Sequence, residues 1–152
     1  MMRPEIEEAA VWLAQAQLDL DTARDLQSGR PYAACFYAQQ AAEKAVKALY
    51  VANGVEFRYV HSVHQLISDV GEAFPSVRRF QDEGATLDEY YISTRYPQPR
   101  LWGPKPPGAR YSARHSQQAI RMAERILAEC QSVYGSLAAQ AAKAAVDGSA
   151  QD

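Results

Sequence analysis

Apolar side chains return at three- and four-residue steps along the first part of the chain, through Ile6, Ala9, Ala10, Leu13, Ala16, Leu20, Ala23 and Leu26. That spacing lines one face of an α-helix. Pro4 suits a first helical turn, where its missing amide hydrogen leaves nothing unpaired, so a helix is expected over residues 4–27. Ser28-Gly29 breaks it, and Pro31 opens a second helix that should end at Asn53-Gly54, a natural left-handed terminator. So short a turn between two long helices makes them antiparallel. Within the second, Cys35, Ala38, Ala42, Ala45, Val46 and Leu49 are expected to face inward, with Phe36, Tyr37 and Tyr50 adding bulk at the margins.

Beyond Gly54 the pattern loosens. Residues 54–62 read as a connector, partly extended around Phe57 and Tyr59. Residues 63–71 fit a short helix with Leu66, Ile67 and Val70 inward, and Pro75 interrupts the path toward Val77 and Phe80. A fourth major helix is expected over residues 86–95, packing through Leu87, Tyr90 or Tyr91, and Thr94. The prolines and glycines of residues 96–109 exclude a continuous helix or a central strand. They predict a stiff loop carrying Trp102 on its surface or folded back over an opening. The last helix starts around Ser112, a capping residue, and continues through Ala119, Ile120, Ala123, Ile126, Leu127, Cys130, Val133 and Leu137. No strand alternation and no internal repeat is evident. The expected fold is all-α: an antiparallel up-and-down four-helix bundle with one additional short helix, a single domain over residues 1–142 and a flexible, fraying tail over 143–152.

The second helix is odd for a core element, because Gln39, Gln40, Glu43, Lys44 and Lys47 form a polar ladder beside a thin alanine surface. Whether that ladder faces bulk water or a cleft is the main functional question. A net charge of -2 and a pI near 5.9 give no global attraction to nucleic acid or membrane. The average hides an asymmetry. Between Glu89 and Glu124 there is no acid, while Arg95, Arg100, Lys105, Arg110, Arg114 and Arg121 all fall there. Such a run builds either an anion-attracting surface or a solvated face balanced by acids elsewhere. No apolar signal core and no membrane-length apolar window is present, and Cys35 and Cys130 lack metal-like spacing, so two thiols in a reducing cytoplasm are expected.

Several segments in order carry a family resemblance over roughly residues 5–135. They are FYAQQAAEKAVKAL from Phe36, His61-Ser62-Val63-His64-Gln65-Leu66, Leu87-Asp88-Glu89-Tyr90-Tyr91, Thr94-Arg95-Tyr96-Pro97, and the closing helix with Ala119, Ala123 and Ile126. Together these resemble the HEPN domain family, closer to its non-nuclease branch. The resemblance implies an up-and-down helical bundle, usually a homodimer. Some members are RNA-cleaving toxins paired with a minimal nucleotidyltransferase; others bind nucleotides or assist such an enzyme. This chain has no Gly-Ser plus spaced-carboxylate signature, so any adenylyl transfer belongs to a separate nucleotidyltransferase partner.

Three functions compete. In the nucleotide- or phosphate-binding reading, Lys44, Lys47 and Arg95 meet the phosphate and Tyr91 and Tyr96 supply rings or hydroxyls. Asp88, Tyr91 and Arg95 would share one helix face, and His61 and His64 would close the cleft. The same residues also fit plain structure, with Glu43 and Lys47 as a helical pair and Asp88 paired with Arg95 or Lys44. The second reading is a metal-independent endoribonuclease toxin. The family's nuclease branch carries an arginine, four to six residues, then a histidine, and Arg110-Tyr111-Ser112-Ala113-Arg114-His115 has that spacing. His115 would exchange protons, Arg110 would stabilise phosphate and Arg114 would assist. Tyr111 stands where the branch usually has Asn, Asp or His. The third reading is a non-catalytic module for dimerisation or partner binding. His61 and His64 lack a third ligand, so no metal site is assigned, and no cofactor is called for.

Overall fold

The computed structural model describes residues 3–55 and 59–150 of the chain; the expected extension at Phe57 lies outside the described residues. Helix α1 (Pro4–Leu26) buries Ile6, Ala9, Leu13, Ala16, Leu20 and Ala23, the stripe its periodicity predicts. The chain reverses through four residues into α2 (Pro31–Ala52), which packs antiparallel along α1. The expected inward residues of α2 are fully buried, and Ala34, Ala41 and Ala48 join them. Alanines on so many sides let α1, α8 and the segments between them approach α2 closely, so this helix forms the centre of the fold. Gly54, at φ 73°, ends it in the left-handed conformation that its sequence anticipates.

Helix α3 (Val63–Val70) is capped by Ser62, whose hydroxyl accepts from the Gln65 amide. A 3-10 turn over Pro75–Phe80 leads into α4 (Gln81–Asp88) and α5 (Tyr90–Ser93). This corrects the single helix expected over residues 86–95: helical structure begins earlier and breaks at Glu89. Gly84 is buried where α4 crosses α3, and a β-carbon there would sit 3.1 Å from both the His64 amide nitrogen and Val63 Cγ1. The fourth side of the bundle is therefore a chain of short helical pieces rather than one long rod.

Residues 96–110 contain two single-turn helices, α6 (Pro99–Trp102) and α7 (Pro107–Arg110), with Gly103 at φ 84° between them. Helix α8 (Ala113–Ser149) closes the core with Ala119, Ile120, Ala123, Ile126, Leu127 and Cys130. At 37 residues it is about 55 Å long against about 34 Å for α1, so its last turns outrun the bundle and are exposed from residue 142. Helix thus continues past the expected end at Ala142. No strand occurs among the described residues, and no described helix is long and apolar enough to cross a membrane.

Candidate functional site

Gln39, Glu43 and Lys47 are spaced by four on α2, so they form one stripe, and His61, just before α3, lies against it. All three are buried. Gln39 Nε2 donates to the His61 carbonyl at 2.8 Å, and Gln40 donates to Gln39 at 2.9 Å. One Glu43 oxygen lies 3.0 Å from His61 Nδ1 and the other 3.6 Å from Lys47 Nζ. Buried charges require such partners, because an uncompensated one costs several kcal/mol. Lys44 points the other way and pairs with Asp19 of α1, which also accepts from Gln15. The ladder therefore faces neither bulk water nor an open cleft, and it divides between two neighbouring elements.

From the buried Glu43 the contacts run outward. The His61 ring, about half exposed, stacks on Tyr91 with centroids 4.8 Å apart. Arg95 lies over Tyr91 at 4.5 Å, Phe36 at 4.7 Å and Tyr96 at 5.2 Å, and its Nε donates to the Tyr91 carbonyl. Four residues singled out in the sequence (Lys47, His61, Tyr91 and Arg95) thus fall on one path with Tyr96 at its rim. Phe36, Gln39 and Glu43 complete it.

Asp88 is engaged elsewhere. Its carboxylate accepts from Ser62 Oγ at 2.8 Å, the Val63 amide at 2.7 Å and the His64 amide at 3.1 Å, where the unpaired amides at the start of α3 favour an anion. It pairs with neither Arg95 nor Lys44. The break at Glu89 separates it from the face that Tyr91 and Arg95 share. His64 Nδ1 lies 3.1 Å from the Gln81 carbonyl, so the two neighbouring histidines serve different elements.

A second cluster lies across α5. Arg110 donates to the Ser93 carbonyl at 2.7 Å, and its guanidinium lies over Trp102 at 5.1 Å and Tyr111 at 5.8 Å. Its Nε is buried without a hydrogen-bond partner among the described residues. Tyr111 donates to Ser93 Oγ at 2.5 Å and packs edge-on against both Tyr90 and His115. Burial first, and then the neighbouring Cys35, push the Tyr90 phenol up to about 12. His115 Nδ1 sits 3.1 Å from the Ser112 amide nitrogen, an N–H donor, so Nδ1 accepts and the ring proton sits on Nε2. The expected cap at Ser112 is therefore completed by His115 itself. Arg114 is exposed on the first turn of α8.

Both clusters touch α5, one through Tyr91 and the other through Ser93. Arg95, Arg100, Lys105, Arg110, Arg114 and Arg121 have no described carboxylate within ion-pair distance, whereas Arg24, Arg79 and Arg125 elsewhere are paired. Exposed Ile92, Tyr96, Leu101 and Trp102 are interleaved with these cations. Positive charge among exposed rings is the composition that single-stranded nucleic acid recognises. Sequence alone missed the Glu43–His61 contact, Ser93 and the Trp102–Arg110 stack. The four-residue spacing of Gln39, Glu43 and Lys47 was the one visible signal for the first.

Comparison with known proteins agrees with this architecture. The HEPN domain family matches residues 9–133. The crystal structure of TT1696 from Thermus thermophilus is 34% identical with a TM-score of 0.75, covering 82% of this chain and 96% of that one. ST0689, described as an archaeal HEPN homologue, is 33% identical with a TM-score of 0.68, covering 83% and 97%. A protein of Methanocaldococcus jannaschii named "Putative toxin MJ1304" is 26% identical over 137 residues, 80% of this chain and 85% of that protein.

Proposed function

Because the chain belongs to the HEPN domain family, we propose that it is a toxin-type protein that binds RNA through the cations between Glu89 and Glu124 and cleaves it without a metal. The observation carrying this reading is that Arg110 and His115 flank the ring of Tyr111, within a stretch of chain whose six cations meet no described carboxylate. The toxin name of the archaeal relative supports the same direction.

The chemistry follows from the atoms available. Cleavage requires the 2′-hydroxyl to lose a proton, its oxygen to bond phosphorus, the bond to the 5′-oxygen to break, and that oxygen to gain a proton. Arg110 offers fixed positive charge to the crowded phosphate. His115, a neutral ring with its proton on Nε2, is set to hydrogen-bond the phosphate or the departing 5′-oxygen, and the proton that this oxygen gains comes from water. A homodimer would face two such pairs into one cleft, and a separate minimal nucleotidyltransferase is the partner this reading assigns.

A second reading, a small nucleotide or phosphate ligand at Arg95, rests on the guanidinium bracketed by Phe36, Tyr91 and Tyr96. In that case the chain assists the nucleotidyltransferase without cleaving RNA. Cleavage of a labelled RNA by purified protein in chelator decides between them. Wild type should cut, and His115→Ala should be slower by about a hundredfold or more while folding normally. Equal cleavage by both proteins removes His115 from the chemistry; RNA binding with no cleavage by wild type favours the second reading.

A further inference from the structure

The Glu43–His61 contact fixes the protonation of a second histidine, and with the opposite result. A carboxylate has no hydrogen to give, so the 3.0 Å contact requires the proton on His61 Nδ1. The neutral ring then presents a bare Nε2, which accepts. The ring is held on three sides: Gln39 bonds its backbone carbonyl, Glu43 its Nδ1 and Tyr91 its face. The side chain is nevertheless 47% exposed, against 4% for Glu43 and 6% for Lys47. A buried ion pair is a weak stabilising device, since apolar residues of the same volume serve as well or better. One that ends on a half-exposed histidine, beside a guanidinium set among three rings, has the form of a binding site.

We propose that His61 is the ribose-reading residue of the RNA face: its Nε2 accepts a hydrogen bond from the 2′-hydroxyl of a nucleotide whose phosphate rests on Arg95. A neighbouring base stacks on the exposed ring of Tyr96, a contact available to any base. Phosphodiesters carry no donor, and stacking is blind to the sugar. The acceptor at His61 is therefore the group that separates RNA from DNA, because only RNA carries the 2′-hydroxyl. The inference rests on the face binding RNA, and it uses different side chains from the Arg110–His115 pair.

The test uses the full chain carrying His115→Ala, so that bound RNA stays intact, with fluorescence anisotropy of a short labelled RNA and of DNA of the same sequence. RNA is expected to bind about tenfold more tightly than DNA. Adding His61→Ala brings RNA down to the DNA level and leaves DNA unchanged, whereas Arg95→Ala weakens both. Glu43→Gln gives the same loss of preference: Lys47 draws the amide oxygen, the amide N–H faces Nδ1, and the ring proton moves to Nε2. Nitrogen NMR reads this directly, with the His61 proton on Nδ1 in wild type and on Nε2 in Glu43→Gln. A preference for RNA that survives His61→Ala overturns the proposal, as does an Nε2 proton in wild type. Binding of RNA and DNA with equal affinity overturns it while leaving the nucleic-acid face standing. Failure to bind either overturns both.

Discussion

Truncating Glu43 to alanine should destabilise the fold far more than its place on an alanine-rich helix suggests. Its carboxylate is almost fully buried, 3.0 Å from His61 Nδ1 and 3.6 Å from the ammonium of Lys47, which is equally buried. Removing Glu43 deletes the buried Lys47 ion pair and the His61 contact together, and breaking such a buried pair costs about 3–5 kcal/mol. That is a large share of the roughly 5–15 kcal/mol that holds a typical domain folded. In a chain of this length it corresponds to a fall in Tm of about 6–20 °C. Urea titration followed by far-UV circular dichroism gives the free energy, and a thermal scan gives Tm. The double variant Glu43→Leu, Lys47→Met removes both charges and keeps the volume, so it should return to within about 1 kcal/mol of wild type. A loss below about 1 kcal/mol for Glu43→Ala would mean that water reaches the carboxylate. A double variant as unstable as the single one would mean that volume, not charge, was lost.

Two further outcomes are expected. Gly84→Ala puts a β-carbon 3.1 Å from the His64 amide nitrogen and Val63 Cγ1, so α3 and α4 must part; a cost of about 1–3 kcal/mol is expected in urea, and an unchanged midpoint refutes the close approach. Burial raises the Cys35 thiol to about 12, raises Cys130, and with its neighbours raises Tyr90 to about 12. Each group binds its proton more tightly folded than unfolded, so stability is intact below about pH 9 and falls as pH rises toward about 12, by about 1.4 kcal/mol per pH unit for each group. Urea midpoints measured from pH 8 to pH 11 check this, and a flat profile refutes it.

The long helices were legible because their signal is local. Ile6 to Leu26 repeats the helical period often enough to specify α1, and Pro31 and Asn53-Gly54 mark the ends of α2. The α4–α5 region was not, because Gly84 reads as a weak helix residue until α3 is seen lying against it. Asp88 shows the same limit. Its spacing to Tyr91 and Arg95 fits one helix face, but the amides at the start of α3, 24 and 25 residues earlier in the chain, bind its carboxylate instead. The surroundings of the α2 charges stay open in sequence, since nothing local says that His61 lies against Gln39 and Glu43. Arg110 and His115 were found by spacing alone; that they meet on one tyrosine ring, beside an α5 carbonyl, required the fold.

What joins the buried ladder to the exposed face is the placement of protons. His61 and His115 both use Nδ1 for the protein, but one contacts a carboxylate and the other a backbone N–H, so their free edges have opposite polarity. His61 presents a lone pair to solvent and His115 presents a hydrogen. Exposed imidazoles in water exchange between these forms freely, and each would serve either purpose poorly. Here a buried glutamate selects one form and a helix cap selects the other. A glutamate on the surface would hold His61 only weakly, because water competes for both partners. Burial of Glu43 beside His61 thus adds little to stability that an apolar pair would not, and it is what a fixed acceptor at His61 requires.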